Sequence, residues 1–211
     1  ALWLNWRGER IGPMPLVTGF DTHDLVAQIC RQERGYSWQL LNRRIALKEL
    51  AVSGGEFNPA FRDKKKLAVA RDMLRGNRWL YEQLTHNCPD FVVAGTLPEL
   101  VTKMNALAGD GSVSLDAVRE SAERYDERID LGPRFHNDEQ LRRIEFARRW
   151  MGDRLRTCKF QKILEPQAGP LVAIREFIIS RKSMGGLQTD LASRVLDRAG
   201  QPIPGLYAAG E

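Results

Sequence analysis

Nowhere in this 211-residue sequence does an apolar run approach the roughly 18 residues that a membrane-crossing helix needs. Residues 1–20 also lack the pattern of a secretory signal, because Asn5, Arg7 and Glu9 interrupt the place where its apolar core would lie. Cysteine is scarce. Cys30, Cys88 and Cys158 are odd in number and have no metal-ligand spacing, so they read as reduced thiols of a cytoplasmic protein. A Gly-x-Gly-x-x-Gly turn between a strand and a helix is missing too; Gly54-Gly55 and Gly109-Asp110-Gly111 read as helix-end turns with no buried strand ahead of them. The charge is only modestly one-sided, 32 basic against 27 acidic residues. With no tight basic face interleaved with aromatics, that surplus reads as solvated surface, and nucleic acid is not an expected partner.

What is present is an ordinary globular composition, 43% hydrophobic and 28% charged, enough for one or two packed cores. Leu2 to Asn5 is strand-like and Arg7 to Arg10 a turn. Helical spacing follows over most of the next 150 residues. One helix starts at Asp21. A second is capped by Ser37, with Leu40, Leu41 and Ile45 inward. A third runs from Asp63 to Arg75, with Leu67, Ala70, Met73 and Leu74 as its buried stripe and Gly76 as its stop. A shorter helix is expected over Trp79 to Leu84, then a brief strand over Phe91 to Ala94. Thr96-Leu97-Pro98-Glu99 is a capping box that opens a helix ending at Gly109; Ser114 caps the next and Asp138 a further one through Trp150, with Leu141, Ile144, Phe146 or Ala147, and Trp150 or Met151 inward. From Thr157 the pattern turns extended, with strands expected around Phe160 to Leu164, Leu171 to Ile174 and Phe177 to Ile179.

The last stretch is different in kind. Leu206 to Ala209 is short and wholly apolar, the look of a strand buried on both faces, with Gly210 and Glu211 at its carboxyl end. A glycine there admits a ligand close to the backbone, and a carboxylate beside it accepts hydrogen bonds from polyol hydroxyls. Met184-Gly185-Gly186 is a second place with no side chain to block a flat ligand.

The string formed by GP-x-x-A-I (169–174), SMGGLQTD (183–190), RVLD (194–197) and PIPGLYAAGE (202–211) resembles the carboxyl-terminal flavin segment of the fumarate reductase, succinate dehydrogenase and ketosteroid dehydrogenase flavoproteins. Within them it looks most like the group of predicted FAD-binding dehydrogenases, which carry an Arg-Lys pair before the double glycine, here Arg181 and Lys182. The resemblance implies FAD as cofactor, with Ser183, Met184, Gly185, Gly186, Gly210 and Glu211 approaching it. It also implies hydride exchange between flavin and a carbon adjacent to or conjugated with a carbonyl. Arg181, Lys182 and Arg10 are the candidates for holding or polarising a small-molecule substrate with a carbonyl or carboxylate, since a guanidinium clamps anions but is a poor base. Where ketosteroid dehydrogenases have tyrosine in the GP-x-x-A segment, this chain has Leu171 and Val172.

The expected fold class is α+β: a mostly helical covering domain over 1–165, then strands at the edge of an incomplete FAD-binding α/β domain over 166–211. The chain reads as an internal piece of a longer flavoprotein, expected to bind FAD weakly or not at all alone. A homo-oligomer is left open. A non-catalytic helical interaction module is the alternative.

Overall fold

The computed structural model describes residues 1–12, 22–50, 58–156, 158–178 and 186–209. Its backbone groups into two units, Ala1–Ile178 and Ile179–Glu211. That division falls beyond the change of character expected near residue 165, because Leu171–Phe177 is an interior strand of the first unit's sheet.

In the first unit, β1 (Leu2–Leu4), β2 (Tyr36–Asn42), β3 (Phe91–Ala94) and β4 (Leu171–Phe177) form an antiparallel sheet in the order β1-β2-β4-β3. Pairing β2 with β4 sets Tyr36 against Phe177 and Asn42 against Leu171 without a break in register. The expected helix capped by Ser37 is therefore incorrect over this stretch. Tyr36, Trp38 and Leu40 alternate along β2, and two neighbouring strands hold it extended, so cross-strand packing overrides a leucine spacing that also suits a helix. The cap is five residues on: Asn42 Oδ1 accepts from Ile45 N at 3.0 Å and opens α2 (Arg43–Glu49).

The pleat then decides the packing. Leu2 and Leu4 lie opposite Leu40 and Trp38, and all four join one buried cluster with Leu100 and Met104 of α6 (Leu97–Ala108) and Val118 and Ala122 of α7 (Leu115–Asp130). Trp3, one residue out of phase, packs instead with Ile29 of α1 (Thr22–Cys30) and with Ile11. The capping box reads true: Thr96 Oγ1 accepts from Glu99 N, and Glu99 reaches back to Gly95 N at 3.1 Å. Gly109 ends α6 in the left-handed region.

Other helices depart from the expected pattern. The third is broken into α3 (Pro59–Arg62) and α4 (Lys66–Arg75) by Lys64 at φ 54°. Its expected stripe is not inside: Leu67 and Leu74 are 89% and 81% exposed, while Asp72, ion-paired to Arg71, takes the buried position. After α5 (Arg78–Asn87), the helix from Asp138 also stops early. It divides into α8 (Glu139–Ala147) and α9 (Met151–Arg156), with Leu141 fully buried but Phe146, Trp150 and Met151 exposed. Residues 158–165 form turns rather than a strand, although Ile163 is fully buried.

In the second unit, β5 (Arg194–Leu196) and β6 (Pro202–Tyr207) form a two-stranded hairpin. The expected strand over Leu206 to Ala209, buried on both faces, is not found among the described residues: Leu206 and Tyr207 are 42% and 64% exposed. Burying both faces takes a layer on each side, and a two-stranded pair provides neither.

Candidate functional site

Arg10 leaves the turn whose conformation Gly8 sets at φ 92°. Expected to hold or polarise a substrate carbonyl or carboxylate, it is instead committed within the fold. Its guanidinium donates to both carboxylate oxygens of Asp138, at 2.6 and 2.9 Å, and to Gln140 Oε1 at 2.8 Å, and it lies 5.6 Å from the centre of the Tyr125 ring. Asp138 Oδ1 also accepts from Leu141 N at 3.0 Å, capping α8. Burial works to raise the Asp138 carboxyl, but the Arg10 hydrogen bonds and charge together with the amides of α8 outweigh it and hold the group below the usual carboxylate range. Burial pushes the Tyr125 phenol well up, so it stays neutral. With the Arg10 fork occupied, its geometry fits a structural tie better than a substrate clamp.

A group overlooked at the sequence level lies at the end of β4. Glu176 stands opposite Ser37, on the face of the sheet where Trp3 Nε1 donates to Ser37 Oγ at 2.9 Å. It is half-buried, and desolvation raises its carboxyl to about 7 against the partial opposition of a hydrogen bond from Gln39. Near neutral pH this carboxyl can either hold or release a proton. The signal was available in the alternation of Leu171 to Phe177, which puts Arg175 and Glu176 on opposite faces. Arg175 meets Asp90 at 2.8 Å and donates to the Leu107 carbonyl.

On the opposite face, Tyr36 packs edge-on against Trp38 at 5.8 Å and tilted against Phe177 at 6.0 Å, with the Arg175 guanidinium 5.9 Å from its ring. The Tyr36 hydroxyl and the Trp38 indole N–H are buried without a hydrogen-bond partner among the described residues. His136 is similar: buried, edge-on to Phe160 at 4.9 Å, with neither ring nitrogen paired among those residues. Leu171 and Val172, at the positions where tyrosine was sought, are both buried in the sheet and cannot face a ligand.

Arg181, Lys182, Ser183, Met184, Gly185, Gly210 and Glu211 lie outside the described residues. Gly186 is described. It is exposed, and a Cβ built there would meet nothing within 4 Å. Downstream, Asp190 accepts from the amides of Ala192 and Arg194 and from Arg194 Nε at 2.7 Å, and Asp197 accepts from the amides of Ala199 and Gln201; these carboxylates shape the turns of the hairpin. Among the described residues no cluster of histidine, cysteine and carboxylate could hold a metal, and no helix is long and apolar enough to cross a membrane.

Residues 8–211 match the profile of a family described as FAD binding domain. Over its whole length the chain is 39% identical to a KsdD-like steroid dehydrogenase of Mycolicibacterium smegmatis and spans 38% of that protein. It is 36% identical to a KsdD-like steroid dehydrogenase of Mycobacterium tuberculosis, of which it spans 37%. A solved structure, the open conformation of a flavocytochrome c3 fumarate reductase, matches the whole chain and 26% of its own with a TM-score of 0.48 and 16% identity.

Proposed function

The chain belongs to the FAD-binding-domain family, whose cofactor is FAD, and from that premise we propose that it is the substrate-covering and flavin-proximal part of an FAD-dependent dehydrogenase or reductase acting beside a carbonyl group. The observation that carries this is the 39% identity, sustained along the whole chain, to a protein named as a steroid dehydrogenase. A steroid or similarly polycyclic ketone is the substrate class it suggests.

When bound, FAD supplies the hydride acceptor or donor. Ser183, Met184, Gly185, Gly186, Gly210 and Glu211 are the residues proposed to hold it, and the open space at Gly186 fits that assignment. Arg181 and Lys182 are proposed to polarise the substrate carbonyl, a task for a fixed positive charge rather than for a base. The proton is assigned to Glu176. Its carboxyl changes charge near neutral pH. Arg10, already paired with Asp138, is assigned a positioning role.

The test is anaerobic mixing of the full-length, flavin-loaded protein with steroid ketones, following the flavin absorbance. Bleaching by a ketone, slowed at least tenfold in Arg181→Gln, supports the assignment. A flavin that no carbonyl compound reduces or reoxidises overturns it. The exposed apolar side chains of α4, α8 and α9 favour a second reading, a non-catalytic binding module, which predicts a protein that retains no flavin.

A further inference from the structure

Two clefts flank Gly76 and share Leu47, Arg75 and Gly76 in their walls. The first, of 520 Å³, is walled by Arg43, Arg71, Arg78 and Trp79, with Asp72 and Glu82. The second, of 410 Å³, is walled by Arg44, Lys48, Arg154 and Lys159, and no carboxylate among the described residues lines it. Together they gather eight cationic side chains against two carboxylates. That local excess of six exceeds the net charge of the whole chain, +5, so the basic surplus is concentrated here rather than spread over the surface.

Part of this charge is already satisfied. Asp72 pairs with Arg71 at 2.9 Å and Glu82 with Arg78 at 3.8 Å; Arg44 donates to the Gln167 carbonyl at 2.7 Å and Lys48 to the Met73 carbonyl. Arg43 stacks 5.6 Å from the Tyr81 ring centre. Arg75, Arg154 and Lys159 have no ion-pair partner among the described residues. Like charges held around one concavity repel each other, and a multivalent anion relieves that repulsion while accepting their hydrogen bonds. The ridge between the clefts is set by backbone. Asn77 N donates to the Leu47 carbonyl at 2.8 Å, and Gly76 at φ 86° leaves no room for a Cβ, which would fall 2.8 Å from Leu47 Cβ. Trp79, 47% exposed on the wall of the first cleft, offers an indole face next to the arginines.

We propose that the paired clefts bind a nucleoside diphosphate group, its phosphates on Arg75, Arg154 and Lys159 and its base on Trp79. The volumes suit a ligand of that size, and an aromatic surface beside unpaired arginine is the combination that a phosphorylated ring compound requires. A free nucleotide and the nucleotide end of a larger molecule offer the same chemistry. The site is independent of the flavin assignment.

The experiment is calorimetric titration of the full-length protein, with any flavin it retains in place, using ADP, FAD, inorganic pyrophosphate and adenosine as separate ligands. The expected result is micromolar ADP binding that weakens at least tenfold in Arg75→Gln and in Lys159→Gln, two exposed changes on separate segments, so that either keeps the test valid if the other does not fold. Trp79→Leu should weaken ADP several-fold and leave pyrophosphate unchanged. FAD uptake that Arg75→Gln leaves unchanged belongs to the flavin site, whereas FAD uptake that it weakens together with ADP identifies the nucleotide end of a larger molecule as the ligand. No binding of ADP or pyrophosphate below about 1 mM, equal binding to wild type and Arg75→Gln, or tighter binding of a random DNA duplex than of ADP would overturn it.

Discussion

Asn42 and Ile163 stand 121 residues apart, and the Asn42 amide donates to the Ile163 carbonyl at 3.1 Å and to the Lys162 carbonyl at 2.8 Å. The same side chain caps α2 through its oxygen. One fully buried residue thus terminates a strand, starts a helix and fixes the chain segment that leads into β4. Asn42→Ala is expected to lower unfolding free energy by about 2–4 kcal/mol, the cost of two abandoned carbonyls and a lost cap. Asn42→Asp should be no milder, since it preserves the cap but sets a carboxylate against two carbonyls. Urea unfolding of the three proteins checks both.

The Arg10–Asp138 pair is mostly shielded, with side chains 22% and 11% exposed. Removing one partner should cost about 2–3 kcal/mol, below the full range for a buried pair because solvent still reaches the guanidinium. Asp138→Asn keeps the cap of α8 and isolates the charge. Because the Asp138 carboxyl is depressed in the folded state, its contribution is present above its unfolded value of about 3.9 and lost as pH falls through the folded one. The stability gap between wild type and Asp138→Asn should therefore be constant above about pH 5 and shrink on acidification; a gap that grows in acid would count against the pair.

Glu176 has the opposite sign. Its folded value near 7 lies above an unfolded value of about 4.3, so the folded protein binds more protons between them and stability falls as pH rises across that window. Glu176→Gln should match wild type near pH 4 and be more stable by about 1–2 kcal/mol at pH 8, after allowance for partial solvation. Thermal melts at the two pH values decide it. The same substitution should depress turnover at neutral pH if the proton assignment holds.

Gly8→Ala is expected to destabilise by about 2 kcal/mol or more. The added Cβ would lie 2.4 Å from Val118 Cγ2, a fully buried atom group on α7, and φ 92° disfavours any L side chain. Gly111→Ala, also at positive φ (64°) but with nothing within 4 Å of its Cβ position, isolates the backbone cost and should be the milder change in the same unfolding assay.

Local signals carried their own stretches of the fold. Thr96, Ser114 and Asp138 cap the helices assigned to them because a cap needs only residues within a turn of itself. The reading failed where distant partners decide. Tyr36 to Asn42 is a strand because β1 and β4 flank it, and Leu67 and Leu74 are exposed because the side of α4 carrying Asp72 is the one that packs. The motif over 183–211 carries the flavin assignment from the sequence alone, since Ser183 to Gly185, Gly210 and Glu211 lie outside the described residues, whereas Glu176 needed the sheet register to place it opposite Ser37.

The strand order also sets a sequence of events. Among the described residues β3 pairs with β4 alone, and β4 lies between it and β2. A chain emerging from the ribosome can join β1 to β2 early, but the two halves of the sheet cannot meet until Leu171–Phe177 has appeared, long after β3 at Phe91–Ala94. Until then β3 remains an open edge and folding waits on contacts of high sequence separation, which makes the closing step slow and the interval before it the time when this protein is most open to mispairing.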